Sequence, residues 1–164
     1  MDDEPALDTY LRMFGRTTTD VTADTFAYFA ATHPLGISRR SGEEVRVVGT
    51  ADFTERSVQT WSRVPRGGMT WLMEGNADTM QQAAVDPCAD VVEDLGGVPP
   101  IGALAFDCMG RRSVLGDEGM VKEVASMAAG IGAPIAGLYT YGEIARIRGA
   151  NGFHNQTLVM VAFG

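Results

Sequence analysis

Asp107, Cys108, Arg111 and Arg112 bring a carboxylate, a thiol and two guanidinium groups to the end of one apolar run, Ala103 to Phe106. Two further stretches pair an apolar segment with polar groups at one end. Gly137 to Ile144 carries Tyr139, Tyr141 and Glu143, and Gly152 to Thr157 carries His154 and Asn155. A thiol in such company is a candidate nucleophile, with Arg111 stabilising a thiolate, His154 as base and Glu143 as orienter. The spacing fits no cysteine-hydrolase signature, however, and a free cysteine at a strand end more often serves packing. Arg111 could clamp a carboxylate or phosphate bidentately. Glu143 could receive an ammonium, and the two together would suit a zwitterion such as an amino acid. The alternative is structural: Arg111 pairs directly with Asp107 or Glu143. The residue types alone leave both readings open.

Asp107, Cys108, Glu143 and His154 are zinc-ligand types, but no paired CxxC or HxxxH spacing accompanies them, so no metal is expected. His33 and His154 are the only histidines. Either could be an axial haem ligand, yet no CxxCH occurs and the spacing favours none, so no cofactor is expected. Neither GxGxxG nor GxxxxGK[ST] is present, which removes the standard phosphate-binding loops.

These groups need a scaffold. Leu7, Tyr10, Leu11 and Phe14 repeat at helical spacing, with Gly15 as terminator. A second helix is expected over 23–31, ended by His33-Pro34. From Ser38 to Met73, glycines and prolines punctuate segments rich in Val, Thr and Trp. Val45 to Val48, Ser57 to Trp61 and Met69 to Met73 read as strands of a sheet with one wet face carrying Arg46, Glu55, Arg56 and Arg63. Asn76 suits the N-cap of a helix whose stripe is Met80, Ala84, Cys88, Val91 and Leu95. Pro87 either kinks that helix or opens a second one capped by Asp86.

Ile101 to Phe106, Ile135 to Leu138 and Leu158 to Phe163 are continuously apolar and read as central strands covered on both faces. Between the first two, a helix is expected over 117–129 with Val121, Val124, Ala125 and Ala128 inward. Strand, helix and strand from Ile101 to Leu138 form the pattern of a parallel crossover. That would set Asp107 and the Tyr139–Tyr141 segment at one sheet edge, where ligands of open α/β sheets bind. Gly149 to Gly152 reads as a turn into the last strand, with His154 at that strand's start. The fold class is therefore α/β, mixed α+β, with a central mixed sheet flanked by helices.

The chain has 164 residues and a formal net charge of −8, with lysine only at Lys122. An acidic chain is a poor match for nucleic acid or anionic membranes, which need a cationic surface. Two cysteines, an acidic N-terminus and no long apolar run point to reduced thiols, no export signal and a cytoplasmic location.

Three segments taken together resemble the C-terminal part of FIST domains. They are Phe106-Asp107-Cys108-Met109-Gly110-Arg111, then Pro134 through Tyr139-Thr140-Tyr141-Gly142-Glu143-Ile144, then Phe153-His154-Asn155-Gln156-Thr157 before an apolar strand. Ala6-Leu7-Asp8-Thr9-Tyr10 resembles where that part begins. The resemblance implies one FIST C-terminal-like domain over 1–164, with a division into 1–75 and 76–164 as the alternative. It implies a small-ligand sensory module of signal transduction and no enzymatic activity. Such domains occur in bacterial signalling proteins and in some eukaryotic F-box proteins; amino acids are proposed ligands, and some members are linked to haem. The expected ligand-binding residues are Asp107, Cys108, Arg111, Tyr139, Tyr141, Glu143, His154 and Asn155. The N-terminal FIST half is not found in this sequence, so the expected partners are that half or a signalling protein, with a homodimer as a further expectation. Two other classes remain: a hydrolase or transferase using Cys108, and a structural protein-interaction module.

Overall fold

The computed structural model describes residues 1, 3–39, 42–147 and 150–164. The chain divides into two compact units, Met1–Glu74 and Gly75–Gly164. The first holds helices α1 (Ala6–Met13) and α2 (Phe26–Thr32) and strands β1 (Leu35–Arg39), β2 (Gly42–Arg46), β3 (Val48–Asp52), β4 (Ser57–Thr60) and β5 (Thr70–Leu72). The expected apolar face of α1 is the one buried: Leu7, Tyr10 and Leu11 pack with Val21, Phe26, Ala30, Leu35 and Val48. The strands form two sheets, β2-β1-β5 and the β3-β4 pair. Two differences from expectation stand out. The Val45–Val48 segment is split between β2 and β3, and β1 starts before Ser38. Arg46 does not face water: it is buried beside Glu44, which neutralises it.

The second unit carries α3 (Ala77–Ala83), α4 (Asp86–Asp94), β6 (Gly102–Cys108), α5 (Met109–Ile131), β7 (Ile135–Thr140), β8 (Glu143–Ile147), β9 (Ala150–His154) and β10 (Leu158–Phe163). Asn76 caps α3 in a reciprocal capping box with Thr79. The helix through Pro87 is two pieces. Val85, rather than Asp86, holds the cap position of α4, and Pro87 sits in its first turn, where no amide hydrogen is missed. The sheet has the order β10-β6-β7, mixed as expected, with β6 parallel to β7 and antiparallel to β10.

The expectation that these strands are covered on both faces is overturned. Ala103, Ala105 and Asp107 of β6 lie in register with Ile135, Gly137 and Tyr139 of β7 and with Ala162, Met160 and Leu158 of β10. This face packs on α4 and α5. Leu104 and Phe106, with Ala136, Leu138, Val159 and Val161, form the other face, on which no helix of this unit lies; Leu138 is 57% exposed. A three-stranded sheet with all its helices on one side has one apolar face left over.

Helix α5 also differs. It begins at Met109, directly after β6, so Arg111 and Arg112 stand on a helix and not in a loop. Gly116 breaks the helical path at φ +64, a conformation that disfavours any side chain. The inward residues are Met120, Glu123, Met127 and Ile131, while Val121, Val124, Ala125 and Ala128 face outward. Finally, β8 and β9 form an antiparallel hairpin. His154 therefore ends β9 and does not begin the last strand. Of the expected turn over 149–152, Gly149 lies outside the described residues, and Ala150, Asn151 and Gly152 belong to β9 instead of a turn.

Candidate functional site

Asp107 and Cys108 are the last two residues of β6, and successive strand side chains point to opposite faces. Their neighbours are therefore different. The expected site residues divide into two clusters, one on each side of the sheet, at the shared carboxyl edge of β6 and β7.

On the helix-covered face, Asp107 Oδ1 accepts from Arg111 Nε at 2.8 Å. Arg111 also donates to Glu123 and, at 3.1 Å, to the Met80 carbonyl of α3. All three charged side chains are buried, and the Glu123 side chain is inaccessible to solvent. Arg111 thus takes the structural pairing with Asp107, and its second carboxylate is Glu123, not Glu143. Burial pushes the Glu123 carboxyl up to about 7; Arg111 opposes this and the Asp107 charge adds to it. Tyr139, the β7 partner of Asp107 in register, borders the cluster: its hydroxyl reaches the Met120 sulfur, and Arg112 lies 5.0 Å over its ring. Burial, followed by the two carboxylates, raises its pKa.

On the other face, Cys108 is fully buried beside Glu143. The backbone N–H groups of Gly110 and Gln156 face its sulfur. Burial is the largest influence and raises the thiol pKa; the Glu143 charge raises it further, against the two amides. Glu143 accepts from the Thr140 hydroxyl and, at 2.6 Å, from the Thr157 hydroxyl. Among the described residues no cation pairs with it, although it is only 2% exposed. The β8-β9 register sets His154 directly opposite Glu143 on the same hairpin face. His154 is 1% exposed and its Nε2 has no hydrogen-bond partner. Asn155, next in the chain, is also buried, and Gln156 holds φ +53 where the chain leaves the hairpin for β10. Tyr141 stands apart, 70% exposed at the turn between β7 and β8. The next residue must be glycine, because a Cβ at Gly142 would lie 1.9 Å from the Phe153 ring.

Chemically, the first cluster is a closed ionic network. The second is a buried acceptor, a protonated thiol and an unused imidazole nitrogen at the base of the β8-β9 hairpin. Sequence reasoning missed Glu123 and Thr157. Glu123 falls between Met120 and Met127 at helical spacing, so the stripe would have revealed it had a charged residue been allowed on the inward face. Among the described residues, no group of three or more metal-ligating side chains comes together, and no helix is long and apolar enough to cross a membrane. A cavity of about 570 Å³ lies in the first unit, lined by Ala23, Thr50, Asp52, Phe53, Ser57 and Gln59 among others. A family model described as FIST C domain matches residues 6–146. No curated protein and no solved structure matches the chain.

Proposed function

We propose that this chain, which belongs to the FIST C domain family of sensory domains in signal transduction, detects a small zwitterionic metabolite such as an amino acid at the Glu143 end of β8. The observation that carries this reading is a buried carboxylate that, among the described residues, is held by neutral donors, with His154, whose Nε2 has no partner, opposite it in register. A buried charge is costly unless paired, and a ligand ammonium supplies the missing cation. His154 and Asn155 then complete its polar contacts, while Tyr139 lies on the opposite face of the sheet and Tyr141 is exposed at the turn between β7 and β8. Arg111 and Asp107 hold the strand end from the opposite face. Entry requires the β8-β9 flap to lift, and that movement is the signal passed to a partner protein. A companion FIST half, a signalling protein or a second copy would receive it.

The chain works in the cytoplasm without a cofactor and without catalysis. Cys88 and Cys108 are both free thiols, as a reducing compartment requires. Catalysis by Cys108 would need a thiolate, and burial beside Glu143 drives the thiol the other way. Thermal melting against an amino-acid and organic-acid panel tests the reading. A zwitterion should raise the melting temperature of the wild type. Glu143→Gln should fold and lose that rise, because a neutral amide no longer attracts an ammonium. A Glu143→Gln protein that responds like the wild type sinks the assignment.

A further inference from the structure

Two carboxylates and one guanidinium leave the Asp107–Arg111–Glu123 cluster with a net charge of −1 if all three ionise. Arg111 uses its donors on Asp107 Oδ1, Glu123 Oε1 and the Met80 carbonyl. The remaining oxygens, Asp107 Oδ2 and Glu123 Oε2, are buried acceptors with nothing donating to them. Both carboxyl groups bond the same guanidinium, and the Asp107 charge favours the protonated form of Glu123. A proton on one of them supplies the absent donor and removes the excess charge at once.

The cluster also spans a joint. Arg111 lies before the Gly116 break in α5 and Glu123 after it. Gln81 of α3 donates to the Gly119 carbonyl just beyond the break, and α3 supplies the Met80 carbonyl to Arg111. The other charged or titratable neighbours are Tyr139 from β7 and Arg112, the cation next to Arg111 in the chain, which lies over the Tyr139 ring and reaches Asp117. From β10, the residue in register with Asp107 is the apolar Leu158.

We propose that Glu123 keeps a proton in the folded state and directs it at the Asp107 carboxylate, and that this proton latches the two segments of α5 together across Gly116, making the second unit a pH-sensitive element. Loss of the proton leaves two facing carboxylates on one arginine and loosens the segment after Gly116. The direction follows from linkage. Glu123 titrates near 7 when folded and near 4.5 when unfolded, so the latch contributes fully below about 4.5 and is lost as pH rises through about 7. The inference is independent of any ligand at Glu143.

The test is a ¹³C-carboxyl titration of the full chain together with unfolding midpoints measured across the same pH window. We expect the Glu123 carboxyl carbon to titrate well above the ordinary carboxylate range. Glu123→Gln mimics the protonated form, since its amide can donate to Asp107 and accept from Arg111. It should flatten the fall in unfolding midpoint between about 4.5 and about 7. It should also slow amide exchange in 117–131 relative to the wild type above that window. A Glu123 carbon titrating as an ordinary carboxylate overturns the proposal, whether or not the variant folds. So does a Glu123→Gln protein that folds and keeps the wild-type pH profile.

Discussion

Arg111 is the residue on which the two structural alternatives turned, and its environment separates them. It sits between two buried carboxylates and a helix carbonyl. Removing one member of a buried network strands the rest without solvent, typically costing about 3–5 kcal/mol. Arg111→Ala is therefore expected to lower stability by about that amount in urea denaturation; a loss below about 1 kcal/mol would mean the network contributes little. Cys108 makes a second residue-scale prediction. Its thiol pKa is raised, so alkylation by a small thiol reagent under native conditions should gain speed only above the usual thiol range. A rate plateau at neutral pH would instead mark a stabilised thiolate. While His154 was placed at the start of the wrong strand, Asp107 and Cys108 were legible, because the apolar run of β6 stops abruptly at them. Their partners were not. Glu123 is twelve positions from Arg111 in the chain, and periodicity reasoning places a lone glutamate among valines and alanines on the wet side.

At the scale of elements, that same glutamate explains why α5 was read with the wrong face inward. Val121, Val124, Ala125 and Ala128 are the more apolar stripe, but the buried ionic network rotates Met120, Glu123 and Met127 toward the sheet. The start of α5 was hidden for a related reason: Gly116 and the arginines look like a loop, whereas the chain enters a helix at once and breaks at Gly116. Gly116→Ala is expected to cost about 1–3 kcal/mol from its backbone conformation alone, since φ +64 with ψ 179 is a region held essentially by glycine and the space around it is open. A thermal melt unchanged by this substitution would argue that the break is not required. The parallel pairing of β6 and β7 was readable from the strand–helix–strand pattern. The uncovered face was not, because a continuously apolar strand reads the same whether one face or two are covered. The difference is measurable: Met160→Ala, on the helix-covered face, should cost about 2–5 kcal/mol. Leu138→Ala, 57% exposed on the other face, should stay within about 0.5 kcal/mol. Equal losses would mean that the second face is also covered.

At the scale of the whole molecule, each unit has its own apolar core, and the eight expected ligand-binding residues all belong to Gly75–Gly164. Family membership spans both units, since residues 6–146 match. The proposed sensing site lies in the second unit, at the buried carboxylate that opens β8, although the first unit holds a cavity of about 570 Å³. The most direct test is a two-dimensional amide NMR titration of the full chain with the amino-acid panel. We expect a saturable ligand whose shifts concentrate at Cys108, Thr140 to Glu143 and His154 to Thr157. Shifts confined to the cavity residues Thr50 to Gln59, or no saturable ligand in the panel, would contradict it.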